Sequence, residues 1–167
     1  MILYHGSTVA VEVPQIIRAE HGRDFGFGFY TTDIREQAER WALRKTWIAS
    51  RTESGAVPIL SIYEFDETVY KVLNTAHFSE PSLEWLDLVC SCRSNTDYAH
   101  GYDIVTGKVA NDNVGETVSY VVQGIMRRED APKRLKFEQI NNQVCFNTDA
   151  ALAHLKYVGF EECTERR

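Results

Sequence analysis

Tyr4-His5-Gly6-Ser7, followed by Phe25-Gly26-Phe27-Gly28-Phe29-Tyr30-Thr31-Thr32, is the stretch on which the reading of this chain turns. Ile2 to His5 has the composition of a short strand, which would carry His5 on a rigid backbone. The glycines of the second segment loosen a loop that feeds another strand, and that strand presents Tyr30 as a flat stacking surface. They do not make a dinucleotide fingerprint, because the third glycine is missing and no strand-to-helix turn follows them directly. After Thr32 the chain turns into a helix predicted over about Ile34 to Ser50. Thr32-Asp33 is its expected N-cap, with Glu36 at the capping-box spacing from Asp33. Ile34, Ala38, Trp41, Ala42 and Ile48 form the expected inner stripe. Trp41 follows Tyr30 by eleven residues, so the helix can fold back and sandwich a planar ring between two aromatic faces. Each feature also has a plain structural reading: His5 as a core histidine bonded to a carbonyl, Tyr30 as an aromatic strand edge, Trp41 as ordinary core.

Outward from this stretch, Val9 to Asp24 reads mostly as loop. Val57 to Phe65 reads as a strand, and Thr68 to Leu73 as another. Ser82 to Cys92 is expected to be a helix with Leu83, Trp85, Leu86 and Val89 as its apolar surface. Tyr102 to Gly107 is a strand, and Val114 to Met126 a helix whose Val118, Val121, Val122 and Ile125 face the core. Glu129 to Lys136 is a short helix interrupted by Pro132. Leu135 to Phe137 and Gln143 to Phe146 are strand-like, and Asp149 to Lys156 is helical. Irregular alternation of strands and helices points to a mixed α+β domain.

The 167 residues suit a single domain, residues 1–167, with enough chain to bury a core. The net charge of −6 tilts against a broad nucleic-acid face, which needs clustered Lys and Arg. No apolar run reaches the roughly 20 residues of a membrane span, so no membrane partner is expected. The N-terminus has no basic region followed by a long apolar one. The cytoplasm is therefore the expected compartment, with delivery by a machine that reads no cleaved signal left open. Cys90, Cys92, Cys145 and Cys163 lack zinc-site spacing and read as small buried hydrophobes, so no metal is expected.

Taken together, the motifs resemble the ADP-ribosyltransferase superfamily, on the diphtheria-toxin-like side that includes poly-ADP-ribose polymerases and is marked by a His-Tyr-Glu trio. Tyr4-His5-Gly6-Ser7 matches the first motif. Gly26, Gly28, Tyr30 and Trp41 match the second, and Asn142-Gln143 stands where the third has Asn-Glu. Leu155-Lys156-Tyr157 keeps that group's C-terminal shape. More closely, the chain is similar to an uncharacterised bacterial domain family placed in that clan. Its marks are Leu3 to Ser7, Asp24 to Tyr30, the Gln-Ala-x-x-Trp of Gln37 to Trp41, Ala110-Asn111-Asp112, and Asn142-Gln143.

The resemblance implies an ADP-ribosyltransferase-like fold of mixed and antiparallel split sheets with flanking helices, and NAD as substrate. His5 would contact the adenosine-side ribose, and the Gly6 backbone would pair with the nicotinamide amide. Ser7 would add a polar contact, Tyr30 would stack on the nicotinamide, and Trp41 would close the other side. The implied activity is mono-ADP-ribosylation of a macromolecular acceptor, protein favoured over nucleic acid, by a bacterial toxin or effector with a small antitoxin or immunity partner. A non-catalytic NAD- or ADP-ribose-binding module and an NAD glycohydrolase stay open beside it.

Gln143 stands where active members carry the glutamate that anchors the nicotinamide ribose and stabilises the oxocarbenium-like state, by the logic of sugar-cleaving carboxylates. A neutral hydrogen bond contributes about 0.5–1.5 kcal/mol against roughly 1.5–3 for a charged one. An amide also cannot take a proton, a role worth around 10²–10⁴-fold in rate. Gln143 is therefore expected to orient the substrate, with a carboxylate supplied from elsewhere. Asp112 is the first candidate, and Asp24 and Glu116 are weaker ones. The structural alternative for Asp112 is capping the helix that begins near Val114.

Overall fold

A computed structural model describes residues 1–18, 23–52, 54–108, 112–135 and 142–164, and only the backbone of residues 112–114. It has an α+β fold with two sheets. The first takes the order β1 (Ile2–Ser7), β3 (Ile59–Phe65), β7 (Leu155–Glu162), all antiparallel. The second takes the order β2 (Phe29–Thr31), β6 (Asn142–Phe146), β5 (Ile104–Lys108), β4 (Thr75–Phe78), with only β4 and β5 parallel. Helices α1 (Arg35–Ala49), α2 (Leu83–Ser94), α3 (Asp112–Val122), α4 (Ala131–Arg134) and α5 (Asp149–Leu152) complete the chain.

Among the described residues the strands of the two sheets meet at one isolated bridge, Tyr4 with Thr32, whose amides and carbonyls exchange bonds of 2.8 and 3.0 Å. Side-chain alternation fills the space behind this seam. Leu3, Tyr63 and Phe65 of the first sheet pack with Phe29, Ile104, Val144 and Phe146 of the second. On the other face of the second sheet, Phe25, Val105 and Cys145 bury against Trp85, Leu86 and Val89 of α2 and Val118 of α3.

Helix α1 buries only Ala38 and Ala42. The cause lies in β1: a Cβ on Gly6 would stand 2.1 Å from the Ala38 carbonyl oxygen and 2.8 Å from the Ala42 nitrogen. The helix backbone rests on the strand backbone, and only small residues fit that contact. The expected stripe is corrected accordingly, because this rotation leaves Trp41 and Ile48 exposed at 48% and 51%. The cap differs too. Thr32 Oγ1 accepts from the Ile34 amide at 3.1 Å. Ile34 is the N-cap and makes no side-chain cap bond, while the Asp33 carboxylate accepts from Asn142 Nδ2 at 3.0 Å.

Other expectations shift for local reasons. Thr68 to Leu73 is no strand; a 3₁₀ turn covers Glu67–Lys71 because the Asp66 carboxylate accepts from the Thr68 amide at 2.9 Å and starts a turn. Helix α3 stops at Val122, and Gly124 takes φ 72° just beyond it, a left-handed stop that suits glycine. Val122 and Ile125 are consequently exposed rather than core. The last helix ends at Leu152, and the chain runs instead into β7, where Leu155 pairs with Phe65 and Tyr157 with Tyr63. β4 was not foreseen. The strand expected at Leu135 to Phe137 lies outside the described residues beyond Leu135, which itself follows α4.

Candidate functional site

Backbone alternation places the open edge of the seam. Tyr4 bonds to Thr32, so the amide and carbonyl of Gly6, two residues on, point to the same side, away from β3. Continuing that register sets Gly6 level with Tyr30. There the strands part, and the His5 side chain spans the gap: its Nδ1 lies 2.7 Å from the Tyr30 carbonyl oxygen. A carbonyl has no proton to give, so Nδ1 is the donor. Burial, then Lys45 and Arg23 nearby, outweigh that bond and lower the His5 pKa below 6.5. At neutral pH Nε2 is therefore an unprotonated acceptor, the group a sugar hydroxyl needs. The ring is fixed from behind by Phe29, with centroids 4.6 Å apart.

Tyr30 is equally constrained. Its hydroxyl donates to the Gly26 carbonyl at 2.7 Å and accepts from the Phe25 amide at 3.1 Å. Burial raises its pKa far above the ordinary value, with Cys145 adding to it, so the ring stays neutral. The Arg23 guanidinium lies over it, 5.3 Å from the centroid. Trp41, expected to face Tyr30, instead carries Arg44 and Lys45 at 5.6 and 5.8 Å from its ring centroid. No ring contact joins Trp41 to Tyr30 among the described residues. The Ser7 hydroxyl donates to the Val9 carbonyl at 2.6 Å and accepts from the Val9 amide at 3.1 Å, a local turn that uses its proton.

Gln143 pairs with Gly107 and, with Cys145 and Tyr30, projects from one face of the second sheet. Its side-chain oxygen is buried and has no hydrogen-bond partner among the described residues. A buried acceptor left unmet costs about 1–3 kcal/mol, so a donor arriving there, such as a ribose hydroxyl, would bind with that cost removed. The strand end that carries Gln143 is held by Gln37 of α1. The Gln37 amide nitrogen donates to the Asn142 carbonyl at 2.8 Å, and its oxygen accepts from the Asn142 amide at 2.9 Å. Gln37 and Asp33 thus tie the second motif's helix to the third motif's strand. The only sequence signal for this was Gln37 within Gln-Ala-x-x-Trp.

Of the candidate carboxylates, the two whose side chains are described, Asp24 and Glu116, are engaged by other residues. Asp112 begins α3, but its side chain lies outside the described residues, as does all of Asn111. Asp24 is buried and accepts from Arg93 Nε at 2.7 Å. Glu116 accepts from the Tyr120 hydroxyl at 2.6 Å and from Arg134 at 3.1 Å. No cluster of His, Cys, Asp and Glu among the described residues is arranged to hold a metal. No helix among them is long and apolar enough to cross a membrane. The four cysteines are free, with Cys92 and Cys145 buried. Surface hollows of about 640 Å³ beside Ser82 and Pro132 and 250 Å³ beside Tyr70 and Thr106 contain none of the motif residues.

Residues 1–157 match a family model described as a protein of unknown function, DUF3990. No curated protein and no solved structure matches the chain.

Proposed function

The chain belongs to the DUF3990 family, and on that premise we propose that the seam between β1 and β2 binds NAD and that the protein transfers ADP-ribose from it to a macromolecule. One observation carries the reading: the 2.7 Å bond from His5 to the Tyr30 carbonyl. It joins the first and second motifs into one site and leaves His5 Nε2 as a free acceptor beside the Gly6 backbone edge. The nicotinamide amide pairs with that edge, the nicotinamide ring takes the Tyr30 face, and a ribose hydroxyl meets the buried Gln143 oxygen. Nicotinamide leaves as the C1″–N bond breaks, and an acceptor nucleophile closes on C1″. A protein acceptor suits the acidic chain better than nucleic acid.

Incubation with biotin-tagged NAD and cell extract tests this. The expected result is label on an acceptor, lost in His5→Ala and Tyr30→Ala. The absence of both label transfer and nicotinamide release would overturn it. Free ADP-ribose as the sole product would replace transfer by hydrolysis.

A second reading, NAD binding without turnover, is favoured by the state of the carboxylates: Asp24 and Glu116 are engaged elsewhere. It expects NAD to raise Tm without nicotinamide release, and Gln143→Glu to create slow cleavage. Turnover by the parent protein would remove it.

A further inference from the structure

We propose that Arg23 and Lys45 form a two-cation clamp for a phosphoanhydride, the diphosphate bridge of the dinucleotide in the reading above, on which this identification of the ligand rests. The two side chains come from different elements, Arg23 from the segment before β2 and Lys45 from α1. Each lies over one of the aromatic rings of the site: the Arg23 guanidinium 5.3 Å from the Tyr30 centroid, the Lys45 ammonium 5.8 Å from that of Trp41. Lys45 follows Ala42, the residue that rests on Gly6, by less than one helical turn. Gly6, Tyr30 and α1 share one side of the seam, so both cations border the same opening.

Their charges are uncompensated within the described part of the chain. Arg35, Arg93, Arg128 and Arg134 are each held in an ion pair there, as are Lys133 and Lys156. Arg23 and Lys45 make none. They also repel each other and their surroundings. Burial first, then Arg23, lowers the Lys45 pKa, and both cations help to lower that of His5. Lys45 is exposed over much of its length, so solvent tempers these effects. In a chain of net charge −6, two unpaired cations brought together beside an unprotonated histidine call for an anion. A diphosphate offers two charges on adjacent groups, one for each cation, through charge-assisted bonds about twice as strong as neutral ones. Arg23 lies on the ring face that a stacked nicotinamide would take. Ligand entry therefore moves the guanidinium off Tyr30 and onto the phosphates.

Calorimetric titration of the full chain with NAD, nicotinamide and inorganic pyrophosphate tests the clamp, using Arg23→Gln, Lys45→Gln and Lys45→Arg, each first checked for unchanged circular dichroism and Tm. We expect either glutamine variant to weaken NAD and pyrophosphate about tenfold or more, with nicotinamide affinity unchanged or raised. Lys45→Arg should restore most of the affinity. The parent's NAD affinity should fall with added salt more steeply than that of the variants. Pyrophosphate binding that depends on both cations, in a parent that takes neither NAD nor nicotinamide, would keep the clamp and remove the NAD reading. The clamp is overturned if the variants bind NAD as the parent does, if they lose nicotinamide together with NAD, or if the parent binds no phosphate-bearing probe.

Discussion

His5 is the residue on which most of the site depends, and its chemistry has a pH signature. Its pKa in the folded protein is lowered, chiefly by burial, so below the ordinary value of 6.5 the unfolded chain binds a proton that the folded one resists. The His5 contribution to stability is therefore complete above pH 6.5, falls as pH drops from 6.5 towards the folded pKa, and is constant below it. His100, also lowered by burial, adds to the same slope. Urea unfolding of His5→Asn between pH 7.5 and 5 should show a shallower acid loss than the parent. NAD binding should fade at the acid end as Nε2 takes its proton. Gly6 yields a second prediction. Gly6→Ala drives a methyl into the Ala38 carbonyl, and overpacking of this kind costs about 1–3 kcal/mol. A variant with unchanged Tm would mean that α1 does not rest on β1 as described. That His5, Gly6 and Tyr30 lie together was legible from the order and spacing of the motifs. Arg23 and Lys45 were not, because a basic residue in a loop or on a helix gives no sign of what it lies over until the chain has folded.

Among the elements, α1 does the most to organise the site, through Gln37. Gln37→Ala removes both bonds to Asn142 and leaves a partly buried amide and carbonyl unmet, at a cost of about 1–3 kcal/mol. A positioning role predicts more than lost stability: in a transfer assay kcat should fall while NAD affinity measured through nicotinamide stays near the parent value, since Gln143 loses its placement and Tyr30 does not. At α2, Ser82→Ala removes the hydroxyl that accepts from the Trp85 amide at 3.1 Å and should cost about 1 kcal/mol, with no effect on NAD. The strands β1, β3, β5 and β6 and helix α2 could be read from periodicity and caps. The errors arose where tertiary contact outweighed pattern. At α1, Gly6 set the helix rotation against the apolar stripe. At Asp66 a side-chain bond made a turn from a β-branched run. After Leu152, pairing with β3 draws out a strand whose first residues, Leu155 and Lys156, read from sequence as the end of a helix.

At the scale of the whole molecule, two sheets share a core but, among the described residues, their strands exchange backbone bonds only at Tyr4 and Thr32. A ligand bound in the seam as proposed would contact both sheets, so its binding would stabilise the assembled protein. At 100 times its Kd, NAD should add about 2.7 kcal/mol, a Tm rise of roughly 5–10 °C for a chain of this size. The α+β class followed from the mixture of elements. The split into two sheets was expected only through the family resemblance, because strand pairing is decided by residues far apart in sequence. The Cys145 thiol sits on this division of labour. It is enclosed where a Cβ on Gly28 would come within 2.6 Å of its sulfur, and burial holds its pKa far above the usual thiol range. A protonated, enclosed thiol does not react with alkylating agents. Its modification needs the cluster around it, with Phe25, Val105 and the Gly28 segment, to open, so the rate at which Cys145 alkylates is a clock for that opening. NAD should slow that clock, and cysteine substitution at the other three positions would let mass spectrometry read it from one sulfur atom.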